Sequence, residues 1–151
     1  MKVALIIGHN KRARGAYSQI LGREYDYWKG IAEKIKTEIP ELVDVYERKP
    51  NEYYTREMFE VLEELNKNNY KFCIELHFNA AESEQANGCE CLVFWKNEKA
   101  KKLAIDFMVR LQNTFGSKIR NKENILKETE VVNGKEKTVE KKETTRGLIL
   151  V

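Results

Sequence analysis

The sequence predicts an α/β fold: a mainly parallel, twisted sheet flanked by helices, with a charged hairpin arm near residues 118–145. Three observations predict it. Short apolar runs of strand length alternate with longer stretches whose apolar residues recur at helical spacing. The first run, Val3 to Ile7, is continuously apolar, the pattern of a strand buried on both faces. The resulting order is strand, helix, strand, helix, strand, strand, helix, which suits a layered sheet with crossover helices.

Val3-Ala4-Leu5-Ile6-Ile7 forms the first expected strand and Gly8 ends it; a basic, glycine-punctuated loop runs from Asn10 to Gly22. From Glu24 to Ile39 the residues Tyr27, Trp28, Ile31, Ala32, Ile35 and Ile39 recur at three- and four-residue intervals, giving a helix with one buried stripe that Pro40 stops. Val43 to Tyr46 alternates as a short strand. Thr55 is the expected cap of a second helix, with Met58, Phe59, Leu62 and Leu65 on its core face. Phe72 to Phe78 reads as a third strand and Cys89 to Trp95 as a fourth. A third helix follows, with Ala100, Leu103, Phe107, Leu111 and Phe115 inward. Beyond it, Lys118 to Thr145 is dense in Lys and Glu. Asn133-Gly134 stands there between β-prone segments, a strong hairpin signal because both residues tolerate positive φ. A charged loop is the competing reading of this stretch. Arg146-Gly147 opens a last apolar run, Leu148 to Val151, which looks like a core strand.

At 151 residues the chain has the length of one domain, residues 1–151, and there is no internal repeat. Hydrophobic residues are 42% and charged residues 34%, a balance that excludes a disordered chain. With 27 basic and 24 acidic side chains the net charge is +3, too small to argue for a nucleic-acid partner. No stretch approaches the roughly 20 apolar residues of a membrane helix. The first segment has no long apolar region and no cleavage signal, so synthesis in the cytoplasm is expected. Cys73, Cys89 and Cys91 are an odd set without CxxC spacing, read as free thiols that pack rather than as a disulfide framework or thiolate zinc site.

The chain has two histidines, and both stand at strand ends: His9 after the first, His77 closing the third. Ligands collect at the carboxyl ends of parallel strands. If those two strands are parallel, His9 and His77 share one rim. Glu24 opens the first helix on that rim. Two imidazoles and one carboxylate suit zinc and leave one position open. Each residue alone has a plainer reading: a strand-end histidine as a hydrogen-bonded loop residue, Glu24 as an acid favoured by the helix dipole. Rim placement therefore leaves both a metal site and ordinary loop contacts open.

Ile6-Ile7-Gly8-His9, Gly22-Arg23-Glu24, and Glu75-Leu76-His77-Phe78-Asn79-Ala80 followed by Gly88 resemble the zinc-dependent N-acetylmuramoyl-L-alanine amidases, above all the catalytic domains of phage endolysins in that group. The likeness spans nearly the whole chain, and the His-Phe-Asn-Ala element is its most specific part. It implies zinc ligation by His9, Glu24 and His77, with Asn79 shaping the site beside the substrate. It also implies peptidoglycan as the partner and hydrolysis of the amide between N-acetylmuramic acid and L-alanine. Storage in the cytoplasm, with action on the wall after release at lysis, would follow. No separate wall-binding domain is visible.

One departure matters. The family's catalytic glutamate lies on a strand past the Arg-Gly-Leu segment, a position beyond Val151, so the chain reads as a catalytic domain cut short at its C-terminal end. Glu75 shares a strand face with His77, but two residues along a strand is about 6.5 Å, and an ion pair is the simpler role. Glu140 and Glu143 lie in the charged arm, and nothing selects either. A non-catalytic wall-binding remnant and another zinc amide hydrolase or carboxypeptidase are the competing functions. Among other features, Lys11-Arg12-Ala13-Arg14-Gly15 reads as a solvated basic loop that could meet an anionic partner. Tyr17, Tyr53 and Tyr54 read as loop anchors or sugar-stacking rings. We expect the chain as written to turn over purified peptidoglycan more slowly than a form extended past Val151; equal turnover would overturn the missing-glutamate reading.

Overall fold

The computed structural model describes residues 2–78, 88–94, 96–119, 125–132, 135–142 and 149–150, the last three stretches as backbone. Two compact units divide the chain: Met1–Ala86 with Ile149–Val151, and Asn87–Leu148.

The first unit is built on strand β1 (Lys2–Ile7). Its apolar run buries Ala4, Leu5, Ile6 and Ile7 to 7% exposure or less, as expected of a central strand covered on both faces. A small antiparallel pair, β2 (Tyr17–Ser18) and β3 (Gly22–Arg23), occupies the basic loop. Helix α1 (Glu24–Glu38) follows directly, with Tyr25 and Ala32 buried; it ends before Pro40. Strand β4 (Val43–Glu47) lies parallel to β1, helix α2 spans Tyr54–Asn66, and β5 (Tyr70–Leu76) lies parallel to β1 on its other side. Strand β9 (Ile149–Leu150) adds in parallel to β5, pairing Glu75 with Ile149 and Leu76 with Leu150. The order across this unit is therefore β4-β1-β5-β9.

Side-chain alternation decides what covers each face. Ala4 and Ile6 pack with Val61 and Leu65 of α2, joined by Tyr46, Tyr70 and Cys73. The buried Leu5 and Ile7 alternate with them and point the other way. Helix α1 packs against β1 and β4.

The second unit holds β6 (Cys91–Leu92), α3 (Glu98–Phe115), β7 (Ile125–Val132) and β8 (Lys135–Lys142). The Asn97 side chain caps α3 by accepting from Ala100 N at 3.0 Å. Gly116, at φ 69°, closes the helix with a bond from its N–H to the Gln112 carbonyl. Strands β7 and β8 pair antiparallel from Ile125↔Lys142 to Val132↔Lys135. The hairpin arm is therefore present, while its Asn133-Gly134 turn lies outside the described residues.

Several expected details shift. Helix α2 starts at Tyr54, which places Thr55 inside its first turn rather than at the cap. Its buried stripe is Glu57, Val61 and Leu65; Phe59 and Leu62 are exposed. In α3 the buried residues are Ala104 and Met108, and Phe115 at the helix end is 74% exposed, not inward. The fourth strand is short: Cys89 makes one isolated parallel bridge with Ile119, and β6 begins at Cys91. Trp95 lies outside the described residues, as do Arg146 and Gly147. All three cysteines are free thiols, and burial pushes the Cys91 thiol up to about 12. No described helix is long and apolar enough to cross a membrane.

Asp44 on β4 ties the sheet's amino edge together. It receives Lys36 Nζ and Lys2 Nζ, each at 2.9 Å, and the Tyr70 hydroxyl at 3.0 Å. The Lys36 contact foremost, then Lys2, holds its carboxyl down at about 2. A carboxyl depressed on folding contributes stability above its ordinary pKa of 3.8 and loses it as pH falls toward 2. Asp44→Asn should therefore lower the thermal midpoint at neutral pH and flatten its decline between those two values. Parallel acid-unfolding curves for the two proteins would show that the contribution is absent.

Candidate metal centre

Register builds the site. Ile7 of β1 pairs with Leu76 of β5, so the chain leaves both strands at one edge, and Gly8 N donates to the Leu76 carbonyl at 2.9 Å. The parallel pairing on which the rim reading depended is present. His77 is the first residue past β5 rather than the last within it. Helix α1 begins at this edge with Glu24, whose side chain is 2% exposed.

Glu24 stands between the two imidazoles. Its Oε1 lies 2.9 Å from His77 Nδ1 and accepts from Phe78 N at 2.8 Å. Its Oε2 lies 3.2 Å from His9 Nε2 and accepts from Ala16 N at 2.9 Å. The two rings meet edge-on, with centroids 5.0 Å apart. One ligand atom from each of His9, Glu24 and His77 falls within 4.8 Å of the other two.

Two glycines make this convergence possible. A Cβ on Gly8 would stand 2.2 Å from the Leu76 carbonyl oxygen and 2.6 Å from His77 Cε1. At Gly15 it would stand 2.4 Å from Glu24 Oε2 and 2.5 Å from His9 Cδ2, and the backbone there is left-handed at φ 70°. His9 itself has φ 68°, an uncommon conformation for a residue with a side chain and one found at sites where the surroundings impose it.

Behind the histidine loop lies a second buried polar group. Asn10 is 1% exposed; its Nδ2 donates to Glu57 Oε2 at 2.7 Å, and its Oδ1 accepts from the backbone N–H of Arg12 and Ala13, each at 2.9 Å. Glu57 Oε1 accepts from Asn51 N at 2.9 Å. The Arg12 guanidinium donates to the Asn51 carbonyl and reaches Glu57. Arg48, 4% exposed, donates to the carbonyl of His9 at 3.3 Å. Helix α2 thereby fixes the loop that carries His9.

The charges explain what such a site can hold. Burial works against the Glu24 carboxylate, but hydrogen bonds from His77, Ala16 N and Phe78 N hold its pKa below the usual value. Burial lowers the His9 pKa despite Glu24 beside it, favouring a neutral imidazole. Burial also acts against charge on His77, yet Glu24 and Glu75 outweigh it and raise its pKa to about 9. The cluster thus favours positive charge beside Glu24. The donor set fits a divalent ion: two imidazole nitrogens and an ionised carboxylate oxygen. Ligands about 2 Å from a tetrahedral ion stand roughly 3.3 Å apart, close to the 3.2 Å and 2.9 Å separations across Glu24.

The other expected residues fall as follows. Glu75 sits on the far side of His77, with Oε1 at 3.1 Å from Nε2, an ion pair as read from strand alternation. Asn79 and Glu143 lie outside the described residues, and Glu140 is described only as backbone of β8. Arg14 of the basic loop pairs with Asp26 at 3.2 Å. Tyr17, Tyr53 and Tyr54 are more than half exposed, each under a guanidinium, from Arg23, Arg56 and Arg48; they do not anchor loops in the core. Sequence reading missed Gly15, Asn10, Glu57 and Arg48. Glu57 alone left a trace, as a charge on the stripe shared with Val61 and Leu65.

A parallel α/β sheet with a His-Glu-His cluster at its carboxyl rim defines the class. The chain belongs to the N-acetylmuramoyl-L-alanine amidase family, whose sequence model matches residues 3–142. No curated protein matches it significantly. Solved structures share the fold. The catalytic domain of an endolysin targeting Clostridia difficile is 20% identical with TM-score 0.60, covering 99% of this chain and 79% of that one. The CwlD amidase from Clostridioides difficile, in complex with the GerS lipoprotein, is 18% identical with TM-score 0.58, covering 79% and 71%. The catalytic domain of the amidase CwlV from Bacillus (Paenibacillus) polymyxa var. colistinus is 21% identical with TM-score 0.50, covering 67% and 58%. The chain therefore spans less than two thirds of the CwlV domain.

Gly15→Ala should strain both the backbone and the Glu24–His9 contact. The left-handed conformation alone costs about 1–2 kcal/mol, and the displaced carboxylate should weaken metal binding as well. Thermal unfolding and a metal titration read the two effects, and an unchanged protein would show that the loop accommodates a side chain.

Proposed function

We propose that the chain is a zinc-dependent amidase domain that hydrolyses the bond between N-acetylmuramic acid and L-alanine in peptidoglycan. The observation that carries this reading is the convergence of one ligand atom from each of His9, Glu24 and His77 within 4.8 Å, at one rim of the parallel sheet. Family membership supports the reaction, and the endolysin-like fold supports a role in wall lysis.

His9, Glu24 and His77 would hold the ion. Bound zinc supplies an acidified water and polarises a substrate carbonyl. The chain's own part is preorganisation. Glu24 is held by two backbone N–H groups and therefore does not have to move to become a ligand. Neutral His9 offers its lone pair, while its carbonyl is fixed by Arg48. His77 must release its proton to serve as a ligand, which makes occupancy pH-dependent. The ring of Phe78 packs on Tyr27 and Trp28 at 5.2 and 5.8 Å, closing the apolar side of the strand end next to His77.

Digestion of purified peptidoglycan tests the reading. The expected product is stem peptide with a new free amino terminus on L-alanine, dependent on zinc and lost on chelation. His77→Ala and Glu24→Ala should each lower release by more than about 100-fold, because each removes a ligand. Wall binding with no product would instead favour a non-catalytic module. Cleavage at another amide would favour a different zinc hydrolase.

A further inference from the structure

We propose that Glu75 is a positioning residue for the metal centre: its carboxylate fixes His77 as the tautomer protonated on Nε2, so that an ion is taken through Nδ1. The inference rests on the zinc reading above and concerns how one of its ligands is presented.

Three observations carry it. Strand alternation puts residues 75 and 77 on one side of the chain, and Glu75 Oε1 comes to 3.1 Å from His77 Nε2. The opposite ring nitrogen, Nδ1, is the one that faces Glu24, at 2.9 Å. Glu75 is itself nearly enclosed, at 12% side-chain exposure, and among the described residues its Oε1 has no aligned hydrogen-bond donor. A buried carboxylate oxygen is costly without compensation, and the facing His77 nitrogen is what the described residues offer it.

Geometry also excludes another role. Glu75 is not among the residues whose ligand atoms converge, so it is not a fourth ligand. It lies against Nε2, the ring nitrogen opposite the one that faces Glu24. What remains is to hold the imidazole from behind. A proton on Nε2 shared with a carboxylate orients the ring and makes the other nitrogen a better donor. His9 presents the opposite atom, Nε2, to Glu24. The two histidines should therefore bind through different nitrogens.

Because the chain has only two histidines, imidazole NMR can decide this without ambiguity. The nitrogen-15-labelled 151-residue chain is titrated with zinc, and long-range proton–nitrogen spectra are recorded. His77 should carry its proton on Nε2 with zinc at Nδ1, and His9 the reverse, the two rings being assigned through their backbone signals. Two histidines both bound through Nε2 would overturn the proposal while leaving the zinc site standing. Absence of zinc binding would overturn both. As a second measurement, chelator competition should show Glu75→Ala binding zinc about 10–100-fold more weakly, with Glu75→Gln, which keeps an acceptor oxygen, recovering part of the loss. An affinity for Glu75→Ala within about threefold of the parent, given a normal zinc-free unfolding curve, also overturns it. The NMR measurement uses the unmutated chain and does not depend on either variant folding.

Discussion

The carboxylate of Glu24 is where the first unit's local structures meet. It opens α1, accepts from Ala16 in the preceding loop and from Phe78 beyond β5, and lies between both imidazoles. A buried carboxylate in an apolar setting would be costly. Here four polar neighbours and the amino end of a helix compensate it, so the group that would bind metal is also a clasp between three segments. This sets a firm condition on everything around it. The loop must come close enough for Ala16 to donate, and the strands must end level with each other.

Closeness of that kind excludes side chains before it selects them. Gly8 lets β1 lie against the His77 ring, and Gly15 lets the loop cross over Glu24 and His9. The loop's path is then held from outside by Asn10 and Glu57, and by Arg48 on the His9 carbonyl. The left-handed φ of His9 is the visible cost of turning the chain so sharply after a strand. Substitutions in α2, well away from the histidines in sequence, can therefore disturb the centre through Glu57.

How much of this could be read beforehand depended on whether the cause was local. The continuous apolar run of β1 and the stripe of α1 were legible because burial leaves a periodic trace. Two histidines at the ends of what proved parallel strands were legible because sheet topology sends ligands to that rim. The face of α2 was misassigned because Phe59 and Leu62 look like core residues, whereas the true stripe includes Glu57, a buried acid that a polar-outward rule discards. In α3 the apolar pattern ran on to Phe115, although burial ends with the half-buried Leu111. Gly15 and Asn10 were invisible for a different reason: their importance lies in what approaches them, and nothing in a neighbouring residue announces that. The three side chains that converge could be picked out, but not the supports that hold them.

The pairing of β1 with β5 joins Ala4 to Cys73 and Ile7 to Leu76, segments from opposite ends of the first unit. This has a consequence for the order in which a newly made chain gains its properties. Contacts so distant in sequence form late, after the intervening helices and β4 have been synthesised. Before β5 docks, His9 and Glu24 are two isolated donors with weak claim on any ion. On the zinc reading, metal capture would therefore report correct threading of the sheet. A ribosome-bound fragment, or a chain whose strands have slipped by one residue and turned His77 to the other face, has nothing to hold the ion with. Only the correctly threaded sheet brings His9, Glu24 and His77 within reach of one another.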